Sequence, residues 1–311
     1  MEGLLNVSSN PHIRSKQTTS SIMLLVVIAL LPACGFGIFH FGINALLLVV
    51  VSIATAVLSE FLFDVINKRK NTVSDFSAVV TGLLLALNLP PKAPWWIAVI
   101  GSFFAIVVVK CLFGGLGQNF MNPALGARCF LVISFASIMT DFSTDTYSGA
   151  TPLQMMKAGE KVNILDMLTG KTMGTIGETC AIAIIIGGCF LILCGIIDVI
   201  IPGMYIISFV LFIGLFSDYG FDSTFICGQI VGGGLLLGAF FMATDYATRP
   251  ITKSGQLIYG IFLGFMTAVF RTFSPSAEGV SFAIIIGNLL VPLIDKFTKP
   301  SYFGKGAVKN E

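Results

Sequence analysis

Ten apolar runs separated by short polar breaks mark the chain, at about 22–40, 43–63, 76–89, 95–113, 125–139, 179–198, 203–216, 226–243, 257–270 and 281–295. A membrane-spanning helix takes roughly 20 residues, so the pattern predicts an all-α polytopic membrane protein of about ten transmembrane helices. Residues 1–20 read as a polar cytoplasmic tail with no small-residue cleavage site, and 298–311 as a second one. A first five-helix half then covers 21–139, an outer loop 140–178, and a second five-helix half 179–297. An odd number of spans per half forces the two halves into opposite orientations. The third run of each is weakened. Run 76–89 stops at Asn88-Leu89-Pro90-Pro91, and run 226–243 is interrupted by Gly228, Gly232, Gly233, Gly234 and Gly238. Paired breaks of this kind point to a site at an inverted-repeat interface, while the same glycines also suit close helix packing.

Composition narrows the class further. Of 311 residues, 55% are hydrophobic and 11% charged, with a mean hydropathy of +0.92, against about 25% charged in soluble domains. Those proportions exclude a soluble enzyme, a nucleic-acid binder and a disordered scaffold. The net charge of +2 is too small to imply an anionic partner. Charge position says more. With the N-terminus in the cytoplasm, only Lys92, Lys157, Lys161, Lys171 and Arg271 of the 18 basic residues fall outside. This is the positive-inside bias, and it puts both termini inside and the long loop outside. Trp95 and Trp96, beside Pro94, sit at an outer boundary where amphipathic rings settle. The seven cysteines are scattered with no C-x-x-C pair, so no metal centre is expected from this chain alone.

Chemistry concentrates in the outer loop, at Asp145-Thr146-Tyr147-Ser148-Gly149-Ala150-Thr151-Pro152-Leu153-Gln154. Thr151 reads as an N-cap, Pro152 as the first helical residue and Gln154 as the partner of a capping box, opening a short helix to about Lys157. That local structure needs no cofactor. It also presents free N–H groups and a helix dipole, which favour a phosphate. Two other strings read first as helix starts: Asn122-Pro123 after Gly114-Gly115-Leu116-Gly117-Gln118-Asn119, and Thr175-Ile176-Gly177-Glu178, a capping box expected to begin the sixth span. Among acids, Glu60 and Asp64 lie one turn apart at the inner end of the second run, and Asp245 and Asp295 at the inner ends of the eighth and tenth. Carboxylates in spans are functional candidates by default, although all four lie near enough to the interface to read as solvated. Glu60, for depth, and Asp245, for its neighbour Thr244, are the ion-pathway candidates.

Ser148-Gly149-Ala150-Thr151 followed by Pro152-Leu153 resembles the flavinylation motif of two related membrane subunits. They are the D subunit of the Rnf ferredoxin:NAD+ oxidoreductase complex and the B subunit of the sodium-translocating NADH:quinone reductase. The likeness continues through Pro11-His12-Ile13-Arg14, Asp75-Phe76-Ser77-Ala78, Pro94-Trp95-Trp96, Asn122-Pro123-Ala124 and Phe241-Met242-Ala243-Thr244-Asp245. The modest length looks more like the Rnf relative. The resemblance implies FMN bound covalently to Thr151 through a phosphodiester, with Ser148, Gly149, Ala150, Gly174 and Thr175 around it. It also implies a second, non-covalent flavin (riboflavin) near Asn119 and Asn122, whose amides can pair with a flavin ring edge. Further implications are a urea-transporter-like fold in a prokaryotic inner membrane and the Rnf A, B, C, E and G subunits as partners. Ferredoxin and NAD would be met only through those partners, and lipid directly. The chain would be one part of an oxidoreductase moving Na+ or H+, with no complete active site of its own. The alternatives are the quinone-reductase B subunit and a passive small-solute channel of similar fold; the presence of flavin separates the channel from both.

Overall fold

The computed structural model describes residues 17–69, 72–143, 150–160, 162–274 and 279–299. Among these residues the regular structure is all helical. Helix α1 (Thr19–Phe41) opens on a capping box in which Thr18 Oγ1 accepts from the Ser21 N–H at 3.3 Å and Ser21 Oγ accepts from the Thr18 N–H at 3.0 Å. Gly42, at φ 77°, turns the chain directly into α2 (Ile43–Ile66), a conformation that side chains other than glycine rarely adopt. A 3-10 turn (Val73–Asp75) leads to α3 (Ser77–Leu87), and α4 (Trp95–Phe103) continues as a π-helical stretch to Cys111. Asn122 caps α5 (Pro123–Ser134), and a break at Phe135 separates it from α6 (Ala136–Met139). The loop region contributes α7 (Pro152–Lys157) and α8 (Ile164–Thr169). The rest follows as α9 (Ala181–Leu193), α10 (Ile200–Phe216), α11 (Ser223–Val231), α12 (Leu235–Leu237, running on to Met242), α13 (Lys253–Phe273) and α14 (Val280–Thr298).

Each apolar run holds a helix, but the helices differ in reach. Four (α1, α2, α13 and α14) are long and apolar enough to cross a membrane, or five if α11 and α12 form one bent span. The apolar helices α3, α4, α5, α9 and α10 are shorter, at 10–17 residues. Leu31, Phe39, Ile43, Leu193 and Ile207 are each more than half exposed, an apolar exterior suited to lipid and costly in water.

Close packing depends on small residues. On α13, an added Cβ at Gly264 would lie 2.0 Å from Ser208 Oγ and 2.6 Å from the Phe209 backbone nitrogen of α10. With Gly260 one turn earlier, this is the small-x-x-x-small contact that lets helix backbones approach. The Tyr205 hydroxyl locks the same pair through Thr267 at 2.7 Å. In the first half, Ser52 of α2 donates to the Gly82 carbonyl of α3 at 2.8 Å and meets Ser102 of α4 at 2.8 Å. The halves join where α1 packs on α9 and α5 on α14.

One expectation changes here and another holds. The sixth span does not begin at the Thr175 capping box: α9 starts at Ala181, with Cys180 as N-cap. Instead the strip before it reaches across the molecule, where the Ile176 N–H donates to Leu89 O at 3.1 Å and the Gly177 N–H to Leu87 O at 2.8 Å. The Leu87 carbonyl ends α3 and that of Leu89 lies just beyond it, neither with a helical donor, so pairing them outweighs an earlier helix start. The third run of the second half is indeed broken. Segments α11 and α12 meet at a 59° bend across Gly232, Gly233 and Gly234, the last two at φ 63° and 68°.

Candidate functional site

Thr151 is the N-cap of α7. Its side chain accepts from the Gln154 N–H at 3.4 Å, and its own N–H donates to Gln154 Oε1 at 3.0 Å. The threonine is buried, and with Pro152, Leu153, Met167, Gly174, Glu178 and the Gly232-Gly233 turn it lines a cavity of about 380 Å³. Gly174 has open space where a side chain would project, so the wall is recessed at that point. Thr175 is nearly fully buried, and its hydroxyl has no hydrogen-bond partner among the described residues. Ala150 is exposed beside Thr151, whereas Ser148 and Gly149 lie outside the described residues.

A guanidinium backs this site. Arg271, near the end of α13, donates to the Gln229 carbonyl, to Gln229 Oε1 at 3.1 Å, to Gly232 O at 3.0 Å and to Gly233 O at 3.1 Å. It therefore caps the C-terminus of α11, where a helix presents bare carbonyls and partial negative charge. The Phe209 ring lies 5.0 Å below it. Lys157, at the end of α7, donates to Arg271 O at 3.5 Å and to Ser274 O, which ties the Thr151 helix to the end of α13.

A second cavity, of about 710 Å³, opens at the other end of the bundle. Asn119, Asn122, Thr244 and Asp245 line it together with Ser77 and Lys110, against apolar walls that include Leu84, Phe240 and Phe241. The structure thus brings the two asparagines and one ion-pathway candidate to a single place. Asn122 is occupied: its Oδ1 caps α5 through the N–H groups of Ala124 and Leu125, and its Nδ2 donates to Met242 O at 3.3 Å. Asn119 donates to Met121 O at 3.2 Å, while its buried Oδ1 has no partner among the described residues. Burying an amide oxygen unpaired is costly, and Asn119 is therefore the asparagine with a free acceptor for a ligand. Burial pushes the Asp245 carboxyl above its ordinary value, opposed by the Ala247 N–H, the Thr248 hydroxyl and the Arg249 charge.

Glu60 lies elsewhere. It is 1% exposed, and Lys110 Nζ grips both its oxygens, at 2.8 and 2.9 Å. Asp64 is also buried, accepting from the Thr72 N–H and hydroxyl at 2.9 Å each. Glu60 and Asp64 are therefore not solvated, because partners inside the protein replace water. Between the two cavities, Arg128 of α5 donates to Asn88 Oδ1 at 2.8 Å and to Ser281 of α14 at 3.0 Å, with Glu178 at 3.5 Å. Lys110, Arg128 and Arg271 read in the sequence only as topological charges, yet all three are buried. For Lys110 and Arg128 the signal was present, since each is a lone cation inside an apolar run, a rare arrangement that marks interior partners, whereas Arg271 directly follows run 257–270.

Among the described residues no cluster of His, Cys, Asp and Glu could hold a metal, and all seven cysteines are free. Comparison with known proteins completes the picture. The D subunit of the Na+-translocating ferredoxin:NAD+ oxidoreductase complex of Acetobacterium woodii is 48% identical, over 99% of this chain and 98% of its own length. The D subunit of the proton-translocating ferredoxin:NAD+ oxidoreductase complex of Clostridium ljungdahlii is 38% identical over 97% of each. The D subunit of an ion-translocating oxidoreductase complex from Actinobacillus succinogenes is 33% identical, over 97% of this chain and 99% of its own length. Residues 6–304 match the family described as NQR2, RnfD, RnfE, and the chain belongs to that family.

Proposed function

We propose that this chain is the D-type membrane subunit of an ion-translocating ferredoxin:NAD+ oxidoreductase complex, and that it carries FMN esterified to Thr151. The full-length match to subunits of that name carries the assignment. Other subunits of the complex are its partners, and ferredoxin and NAD+ are handled by them. For the flavin, the supporting observation is the buried Thr151 hydroxyl on the wall of a cavity of about 380 Å³. When bound, the flavin supplies electron transfer. The chain's own contribution is placement. The N-cap fixes the hydroxyl, Lys157 anchors α7, and Arg271 holds the broken helix that forms the opposite wall. A covalent tether also removes dissociation from a face open to the extracellular volume.

The same reading gives a bundle of ten helices in two inverted, urea-transporter-like halves, with both termini inside and Thr151 on the outer face. Its support is a pairing that repeats. The second helix of each half packs on the fourth (α2 on α4, α10 on α13), and the first and fifth helices meet their counterparts across the halves. Lys110 and Arg271 stand near the ends of the two fourth helices, each binding the third helix of its own half. The inner cavity would hold riboflavin, with Asn119 Oδ1 as a waiting acceptor and Asn122 as a capping residue that shapes the rim.

The test is a denaturing gel viewed under ultraviolet light, using protein made with a flavin transferase in a host that exports the loop. A fluorescent band near 33 kDa is expected, and Thr151→Ala should abolish it. A dark wild-type band, with no added FMN in the intact mass, would favour the passive-channel reading.

A further inference from the structure

A chain of polar groups that the electron-carrying role leaves unused runs from the surface into the interior at one end of α2. The exposed Thr72 hydroxyl lies 2.6 Å from Glu60 Oε1 and 2.9 Å from Asp64 Oδ2. Glu60 in turn is bound by Lys110 Nζ at 2.8 and 2.9 Å. Lys110 is 2% exposed, and it lines the inner cavity together with Ser77, whose hydroxyl takes its third hydrogen at 2.5 Å. We propose that Thr72, Asp64, Glu60 and Lys110 form a proton-conducting chain from the inner face to the inner cavity, ending at the Lys110 ammonium.

Each link can both give and take a proton, or reorient to do so. A hydroxyl between two carboxylates is suited to relay, because it donates to one and can accept from the other once that one is protonated. The groups also fix the species carried. A metal cation at Glu60 would have to bind oxygens already held by an ammonium about 3 Å away, and the like-charge repulsion is severe in a buried site. The other charges near Glu60 are Asp64 on its own helix and Asp75, which accepts from Ser77, while the Arg69 guanidinium lies over the Phe63 ring at 5.6 Å. Arg69 donates its backbone N–H to Asp64 O at 2.9 Å, which keeps the surface end of the relay folded over α2.

The step balances without any electron moving along the chain. Lys110 gives one proton to an acceptor in the cavity, a heteroaromatic ring whose nitrogen becomes basic on reduction, and is left as a neutral amine. One proton enters from the inner face by way of Asp64 and Thr72, reaches Glu60 and passes to the amine. The ion pair is restored with one proton taken from water and one delivered. The identity of the acceptor rests on the second-flavin reading; the relay itself does not.

The experiment uses the purified whole complex, reduced rapidly with reduced ferredoxin while a pH-indicator dye follows proton uptake. Thr72 is exposed, so Thr72→Val should fold, slow the uptake by roughly 10-fold or more, and be rescued by Thr72→Ser. Glu60→Gln combined with Lys110→Met leaves no lone buried ion and should slow uptake on the order of 100-fold. Uptake at the wild-type rate in Thr72→Val and in the double variant would overturn the proposal. Riboflavin released by acid, which leaves a flavin esterified to Thr151 on the chain, is counted on the same samples. No riboflavin with uptake that depends on Thr72 keeps the proton relay and removes the second flavin. Riboflavin in the extract with uptake indifferent to Thr72 does the reverse.

Discussion

Thr151 shows how one side chain serves two purposes that a single substitution can separate. Its hydroxyl caps α7, and losing such a cap costs about 1 kcal/mol. Thr151→Ala should therefore lower the thermal stability of detergent-solubilised protein slightly while removing the covalent flavin entirely. Thr151→Asn should keep the cap and still lose the flavin, because an amide offers no hydroxyl to esterify. The Glu60–Lys110 pair behaves differently. Lys110→Met alone strands a buried carboxylate at a cost of about 3–5 kcal/mol, and adding Glu60→Gln should recover most of that loss in a melting experiment. Asp245 gives a pH-dependent prediction. Its carboxyl is raised by burial, so its protonated form favours the fold, and that contribution fades as pH rises through the raised value. Asp245→Asn should thus melt above wild type at neutral pH, with the gap closing as pH falls toward the ordinary carboxylate range. At this scale the sequence exposed the caps at Thr151 and Asn122, since short-range spacing encodes them, while Asn119 came only from the family resemblance. The sequence did not expose which partners Lys110, Arg128 and Arg271 meet, because those partners lie 33 to 153 residues away along the chain.

The helices divide into those that pack through small residues and those that end inside the molecule. Gly264→Ala belongs to the first kind. Its methyl would meet backbone atoms of α10 as well as the movable Ser208 side chain, so α13 must shift, at about 1–3 kcal/mol. A lower melting temperature with flavin content unchanged is the expected result. Gly234→Ala belongs to the second kind, since it adds a left-handed backbone cost of about 1–2 kcal/mol at φ 68° and puts a methyl 2.4 Å from Glu178 Oε1. Because that residue shares the Thr151 cavity, flavin fluorescence should fall along with stability. Hydropathy located the helices of the ten apolar runs but overstated the reach of half of them, and it gave no sign of α8 in the loop region. A run such as 125–139 is apolar apart from Arg128 and two serines, yet its helix breaks at Phe135. The glycine break at 232–234 was legible because glycine carries its conformational consequence in its identity. The start of α9 was not, because the carbonyls that take the Ile176 and Gly177 N–H groups belong to a distant element.

At the scale of the whole molecule, the charge bias and the repeated pairing of helices make one joint statement about orientation. Reporter tags at either end should read as cytoplasmic, and one inserted within the 144–149 segment as external. A tag there that reads on the same side as both ends would remove the outer-face flavin. The strip before α9 has one more consequence. The carbonyls of Leu87 and Leu89 receive their N–H partners from Gly177 and Ile176, about 90 residues later in the sequence. Until the ribosome has made that strip, the nascent first half holds bare peptide oxygens at residues that end up fully buried, without the partners that satisfy them. A product truncated before residue 175 should accordingly be cleared quickly by membrane proteases, and co-expression of the missing piece should lengthen its lifetime.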